Sequence, residues 1–275
     1  MSNIFTLAGK EIQEGMRNRW VLATTLLLTA LALTLSFLGS VPTGSVGVDK
    51  LDVVIVSLSS LTIFLVPLIA LLLSHDAIVG EMERGTMLLL LSYPIGRREV
   101  VFGKFLGHLA ILAFATLFGY GAAAAALVAT GSAVGPDSWR AFGSMIASSI
   151  LLGAVFASIG YLISSMARER ATAGGIAIGI WLFFVLIYDM ALLGGLVAAQ
   201  GLAIPTGLLN LLLLANPTDV YRLLNLGSGG ARALSALGGV ADHTGLSAPV
   251  LLAAFGFWTL TPLGFATLIF SRREL

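Results

Sequence analysis

Six apolar runs, each about as long as a bilayer is thick, leave this chain little choice of fold. A hydrocarbon core of about 30 Å takes about 20 apolar residues as helix. The stretches that qualify cover residues 20–38, 53–74, 105–130, 141–164, 173–199 and 248–270. Only 11% of the 275 residues are charged, against about 25% in a soluble domain, whose surface must stay wetted. Lipid has to cover the rest. The expected fold class is therefore an all-α polytopic membrane protein with six transmembrane helices, because a backbone in lipid must bond to itself. Residues 1–19 are mixed in character, so the first run is read as a retained span rather than a cleaved leader.

Orientation follows from Lys and Arg near the span ends. With the N-terminus inside, the inner segments hold Lys10, Arg17, Arg19, Arg84, Arg97, Arg98, Lys104, Arg168, Arg170, Arg272 and Arg273. The outer segments hold only Lys50, Arg140, Arg222 and Arg232. Both termini are thus expected in the cytoplasm. Residues 1–19 read as an amphipathic helix, with Ile4, Ala8, Ile12 and Met16 beside Phe5 on one stripe and Lys10, Gln13, Glu14 and Arg17 on the other. Such a helix lies in the membrane interface against lipid. Gly103-x-x-x-Gly107, Gly175-x-x-x-Gly179 and, more loosely, Ser149, Gly153 and Ala157 have the small-residue spacing that lets helices approach closely. The net charge of +1 gives no reason to expect a nucleic-acid partner.

The inner loop at residues 75–104 is the most informative stretch. The second span is expected to continue as helix to about Arg84, where Gly85 breaks it and Thr86 caps a short helix over Met87 to Ser92. Pro94 and Gly96 end that helix, and Arg97, Arg98 and Glu99 open the third span. Physics alone leaves two readings of a short apolar helix between charged corners. Either its leucines dip back into the interface, or they meet a protein partner.

The order of Asp76, Ile78, Glu81, Gly85-Thr86, Leu89-Leu90-Leu91-Ser92, Pro94 and Arg97, followed by Gly103-Lys104, resembles the cytoplasmic loop of ABC-2-type permeases. These are the membrane subunits of ATP-binding-cassette exporters. The opening Lys10-Glu11 and Arg17-Asn18-Arg19-Trp20 is similar to the connecting helix of that family. The resemblance implies a single type V exporter-like domain over residues 1–275, half of a homodimer. It also implies a coupling helix that docks on a separate ATPase through Glu81, Glu83, Arg84, Gly85, Thr86, Met87, Leu88 and Leu91. More narrowly, Ala77-Ile78-Val79-Gly80-Glu81 and the run from Leu214 to Arg222 resemble permeases of the Nos systems, which mature the copper sites of bacterial nitrous oxide reductase. That resemblance implies the ATPase NosF and the periplasmic protein NosD as partners.

The segment 200–247 is the largest outside the spans. Leu208 to Leu214 is apolar yet too short to span, which suits a re-entrant or interfacial helix. Asn216-Pro217-Thr218-Asp219 then caps a second helix through Tyr221 and Leu224, ended by Gly227 to Gly230. The resembling family places an outer helix pair here. Asn216, Pro217, Thr218, Asp219, Tyr221 and Arg222 would either meet the periplasmic partner or seal the dimer as a passive lid.

Chemistry within the chain is sparse. Gly96 and Gly103-Lys104 do not make a phosphate-binding loop, because the gap is too long and Phe105 stands where a hydroxyl is needed. ATP and Mg are therefore expected on the partner ATPase, with no cofactor in this chain. His75, His108, His243 and the seven methionines form no soft-metal constellation, and cysteine is absent. Copper is expected to be handled by the system rather than by this subunit. Asp189 lies within the fifth span and is either a functional group or the partner of a polar neighbour. An intramembrane aspartyl protease would need a second carboxylate at depth, and no spanning run supplies one. A permease exporting a lipid, drug or other small molecule shares every feature of the inner loop.

Overall fold

A backbone without water closes its hydrogen bonds along itself, and among the described residues every element is helical. The computed structural model describes residues 2–17, 19–39, 50–129, 135–198, 205–226 and 245–273. Gly227 to Gly230, Arg232 and His243 lie outside them. The helices are α1 (Ser2–Arg17), α2 (Arg19–Gly39), α3 (Lys50–Ser74), α4 (Val79–Glu83), α5 (Thr86–Leu91), α6 (Arg97–Ala129) and α7 (Pro136–Met166). They continue as α8 (Arg170–Leu182), a π-helical turn (Phe183–Ile187), α9 (Tyr188–Ala198), α10 (Thr206–Leu214), α11 (Pro217–Leu226) and α12 (Ala248–Arg272). Five rods are long and apolar enough to cross a bilayer: α3 with α4, α6, α7, α8 with α9, and α12. The sixth candidate is α1 with α2, a pair bent by 69°.

At the centre stands α7, packed against α3, α6, α11 and α12. Small residues set those approaches. A side chain on Gly153 would collide with Leu112, and one on Gly160 with Ser74. Gly103 and Gly107 serve a purpose that their spacing alone does not specify: they are the landing strip for α1. A Cβ on Gly103 would stand 2.7 Å from that of Leu7, and one on Gly107 2.5 Å from that of Glu11. By contrast, Gly175 and Gly179 have nothing within 4 Å.

The buried face of α1 thus matches the expected apolar stripe only in part, with Ala8 buried and Ile4 and Ile12 half-buried. Leu7, Ala8 and Glu11 are buried, whereas Phe5 and Met16 are exposed. Contact with glycine on α6 decides the face, and a carboxylate lies within it. At the basic end of the bundle, arginines satisfy the carbonyls that helix C-termini leave unpaired. Arg97 donates to Phe270 O at 3.0 Å and Arg273 O at 2.6 Å. Arg273 donates to Ser165 O at 2.9 Å and Ala167 O at 2.7 Å.

Substituting Gly107→Leu should lift α1 off α6. Overpacking of this kind costs about 1–3 kcal/mol. Faster tryptic cleavage at Lys10 and Arg17 in detergent, with α6 and α7 still protected, is the expected readout.

Candidate functional site

The apolar rod of α3 stops at Ser74, and the chain turns over residues 75–78 before α4 begins. The rod from Val53 thus reaches Glu83, close to the expected end at Arg84, but with a turn in its helical ladder that the sequence did not announce. The reason is a hydroxyl on α7: Ser164 Oγ accepts from the backbone N–H groups of Ile78 at 2.9 Å and Val79 at 3.0 Å. Those donors, released from α3, start a new helix instead. Gly85 follows in the left-handed region at φ 71°, where a Cβ is unfavourable, and α5 leaves at a new angle. Thr86 does not cap α5. It is the first helical residue, and its hydroxyl donates to Glu81 O at 3.2 Å, closing the corner from inside.

This elbow of α4 and α5 is bolted to the bundle by buried charge. Lys104 on α6 is 3% exposed and bridges Glu11 on α1 at 2.7 Å and Glu81 on α4 at 2.6 Å. The second oxygen of Glu11 lies 3.5 Å from His108 Nε2, and His108 Nδ1 hydrogen-bonds to the Tyr161 hydroxyl at 2.9 Å. Burial alone would raise the Glu11 carboxyl, but the His108 hydrogen bond and the Lys104 charge hold it down to about 2. The cluster borders a polar cavity of about 490 Å³ that His75, Asp76 and Arg170 also line. Glu83 accepts from the backbone N–H of Arg170 at 2.6 Å, and the Arg170 guanidinium meets Asp76 at 2.7 Å. The elbow is thereby tied to the start of α8. Met87 is 1% exposed and anchors α5 in the core, leaving Leu88, Leu89 and Tyr93 to project at 59%, 68% and 66%.

At the far end α11 is driven into the bundle rather than laid on it. Asn216, Thr218, Asp219, Val220 and Tyr221 are all buried. Asn216 Oδ1 accepts from the Thr218 N–H at 3.0 Å as the helix cap, with Pro217 in the first turn. Its amide donates to Phe184 O at 3.1 Å, a carbonyl in the π turn. A π turn displaces carbonyls from the regular ladder, and α11 occupies one of them. Asp189 forms an ion pair with Arg222 and accepts from Asn216 at 3.3 Å, and Arg222 also meets Asp219 at 2.9 Å. Each carboxylate faces the guanidinium, which is not the proton-sharing dyad of an aspartyl protease. Tyr188 and Trp258 donate to Leu212 O at 2.8 Å and Leu214 O at 3.0 Å, closing the end of α10.

The model of the ABC-2 family transporter protein matches residues 5–275. The chain belongs to the ABC-2 transporter family. Over 276 residues it is 46% identical to a probable ABC transporter permease protein NosY of Pseudomonas aeruginosa, with all of both chains covered. It is also 46% identical over 279 residues to a probable NosY permease of Stutzerimonas stutzeri, covering 99% of each. It is thus an ABC-2 permease, the non-catalytic membrane component of an ABC transporter, and a multi-pass inner-membrane protein.

Of the residues that the ABC-2 resemblance assigns to coupling, Glu83, Arg84, Gly85, Thr86 and Leu88 are exposed. Glu81 and Met87 are buried, Leu91 is half-buried, and Glu83 is engaged by α8. Sequence reasoning missed Tyr93 as an exposed member of the corner, and it missed the Glu11–Lys104–Glu81 cluster altogether. The one signal for that cluster was Glu11, a carboxylate one turn from Leu7 and Ala8. The far-end set is brought together, but facing inward: among the six residues named, only Arg222 is partly exposed.

Lys104→Met should cost about 3–5 kcal/mol, because two buried carboxylates lose their counter-charge. Adding Glu11→Gln and Glu81→Gln should recover most of the lost thermal stability. A second test uses Asp219, which burial and the nearby Asp189 charge push up to about 6. A carboxyl raised on folding supports the fold below its unfolded value and loses that support as pH climbs through the folded one. Wild-type stability should therefore fall between about pH 4 and about pH 7 by at most about 3 kcal/mol. The difference from Asp219→Asn, measured by thermal melting, isolates the effect.

Proposed function

We propose that this permease is the membrane subunit of a Nos-type transporter that couples hydrolysis by a NosF-like ATPase to maturation of the copper sites of nitrous oxide reductase. The basic end, with the elbow, faces the cytoplasm. One observation carries the docking role: an exposed Arg84–Leu88–Leu89–Tyr93 corner on a short helix whose base is fixed by Met87, Ser164 and Lys104. Apolar side chains projecting from a rigid mount suit a groove on a partner better than a fluid lipid surface. Support for the Nos cargo comes from full-length similarity to permeases named NosY.

The chain works as a homodimer, and α8 with α9 is the face offered to the second copy. Gly175 and Gly179 are open there beside exposed Ile176 and Ile178, and small residues admit close helix approach in lipid. ATP and Mg stay with the ATPase, and copper stays with the periplasmic partners. A NosD-like protein would meet the far end at surfaces other than the buried Asn216–Tyr221 run. A permease exporting a lipid or drug is the second reading; the apolar groove of about 360 Å³ between α9 and α10 favours it.

Leu88→Asp with Leu89→Asp should abolish co-purification of the ATPase while leaving membrane insertion and thermal stability unchanged. Charge reversal at Glu81 should instead destabilise the permease, because it confronts Lys104 with a like charge. Retention of ATPase by the double aspartate variant would refute the docking assignment. Loss of reductase maturation in a strain lacking this chain tests the cargo.

A further inference from the structure

We propose that α7 is the strut that carries movement of the elbow to the far-end helix α11, with Ser164 as its input contact and Ser149 as its output contact. The proposal rests on the elbow being the ATPase dock. Both contacts are on one helix. Ser164, fully buried, accepts the two N–H groups at the start of α4. On the same helix Ser149 gives its proton to Met145 O at 2.6 Å, so the Tyr221 hydroxyl of α11, 3.1 Å away, donates to it. One residue earlier, Ser148 accepts from Asn225 of α11 at 2.8 Å. About 22 Å of helix separates the two contacts at about 1.5 Å per residue, most of a bilayer core.

Of the long helices, α3, α7 and α12 pack most closely against α11. Two of them are interrupted. Proline lies inside α3 at Pro67 and inside α12 at Pro262, where it removes a backbone hydrogen bond and softens the rod. The α8-to-α9 rod contains the π turn. In α7 the only proline is Pro136, in the first turn, and the segment between the serines is closely packed. Leu152, Val155, Phe156 and Tyr161 have no exposed surface there. A close-packed, unbroken helix transmits displacement instead of absorbing it. Lys104, though it holds the elbow, lies on α6 and not on α7.

The two serines are positioning residues, and the test reads motion rather than stability. The chain has no cysteine, so Ala215→Cys, exposed at the corner between α10 and α11, accepts a single nitroxide label. The labelled permease is studied in lipid nanodiscs as its complex with the ATPase, with and without ATP. The spectrum should change on ATP binding. Ser164→Ala and Ser149→Ala should each reduce that change about fivefold or more, the lower end of ordinary coupling between sites, and Ser149→Ala, remote from the dock, should retain ATPase binding and basal hydrolysis. Ser144→Ala, whose hydroxyl bonds only to its own helix at Ala141 O, should leave the change intact. A full ATP response in both buried-serine variants overturns the strut, as does a wild-type complex with no response at Ala215→Cys. Failure of the wild-type permease to hold the ATPase overturns the docking reading instead.

Discussion

A single ammonium group organises the basic end. Lys104 enters the bundle from α6 and is enclosed by carboxylates from α1 and α4, elements separated by two spans in the chain. A buried charge is tolerated only when it is paired and hydrogen-bonded, so the three helices have one relative placement. Gly103 and Gly107 make room for it by letting α1 lie against α6. Were α1 to move away, both Lys104 and His108 would lose Glu11 as a partner. The elbow consequently has a firm base, while its outer corner stays free to meet another protein.

The far end solves a different problem with the same economy of charge. A short helix thrust into an apolar bundle brings polar backbone with it, and each such group needs a partner. The π turn offers Phe184 O, Asn216 caps α11, and Tyr188 and Trp258 reach the last carbonyls of α10. Arg222 then pairs with both Asp189 and Asp219. The depth of Asp189 in the fifth span is matched by a guanidinium brought by α11. Between the two ends the links are hydroxyls and glycines, groups that hold helices together in lipid without the desolvation cost of charge.

Much of the elbow was legible before any coordinates. Gly85 had to be a break, since it alone of the local residues accepts the left-handed backbone without strain, and Pro94 with Gly96 had to end α5. The face of α1 was legible only in part, because a periodicity of apolar residues describes which side avoids water and is silent on which side meets glycine. Thr86 was misread for a related reason. Its type favours a cap, but Gly85 holds the cap position and the Thr86 hydroxyl donates to Glu81 O instead. The stop at Ser74 was equally hidden, since the hydroxyl that interrupts α3 comes from Ser164, 90 residues further on.

Hydrophobic run length and the scarcity of charge determined that this chain is a bundle of membrane helices, because solvent transfer depends on composition and needs no knowledge of neighbours. The same local rules marked the loop where the helices are interrupted. Only the tertiary structure decided which charges are buried, which carbonyls are taken by distant side chains, and which face of each helix is left for a partner. Those are pairwise matters. They depend on groups far apart in the chain meeting within about 3 Å, and no pattern along a single strand of sequence encodes that meeting.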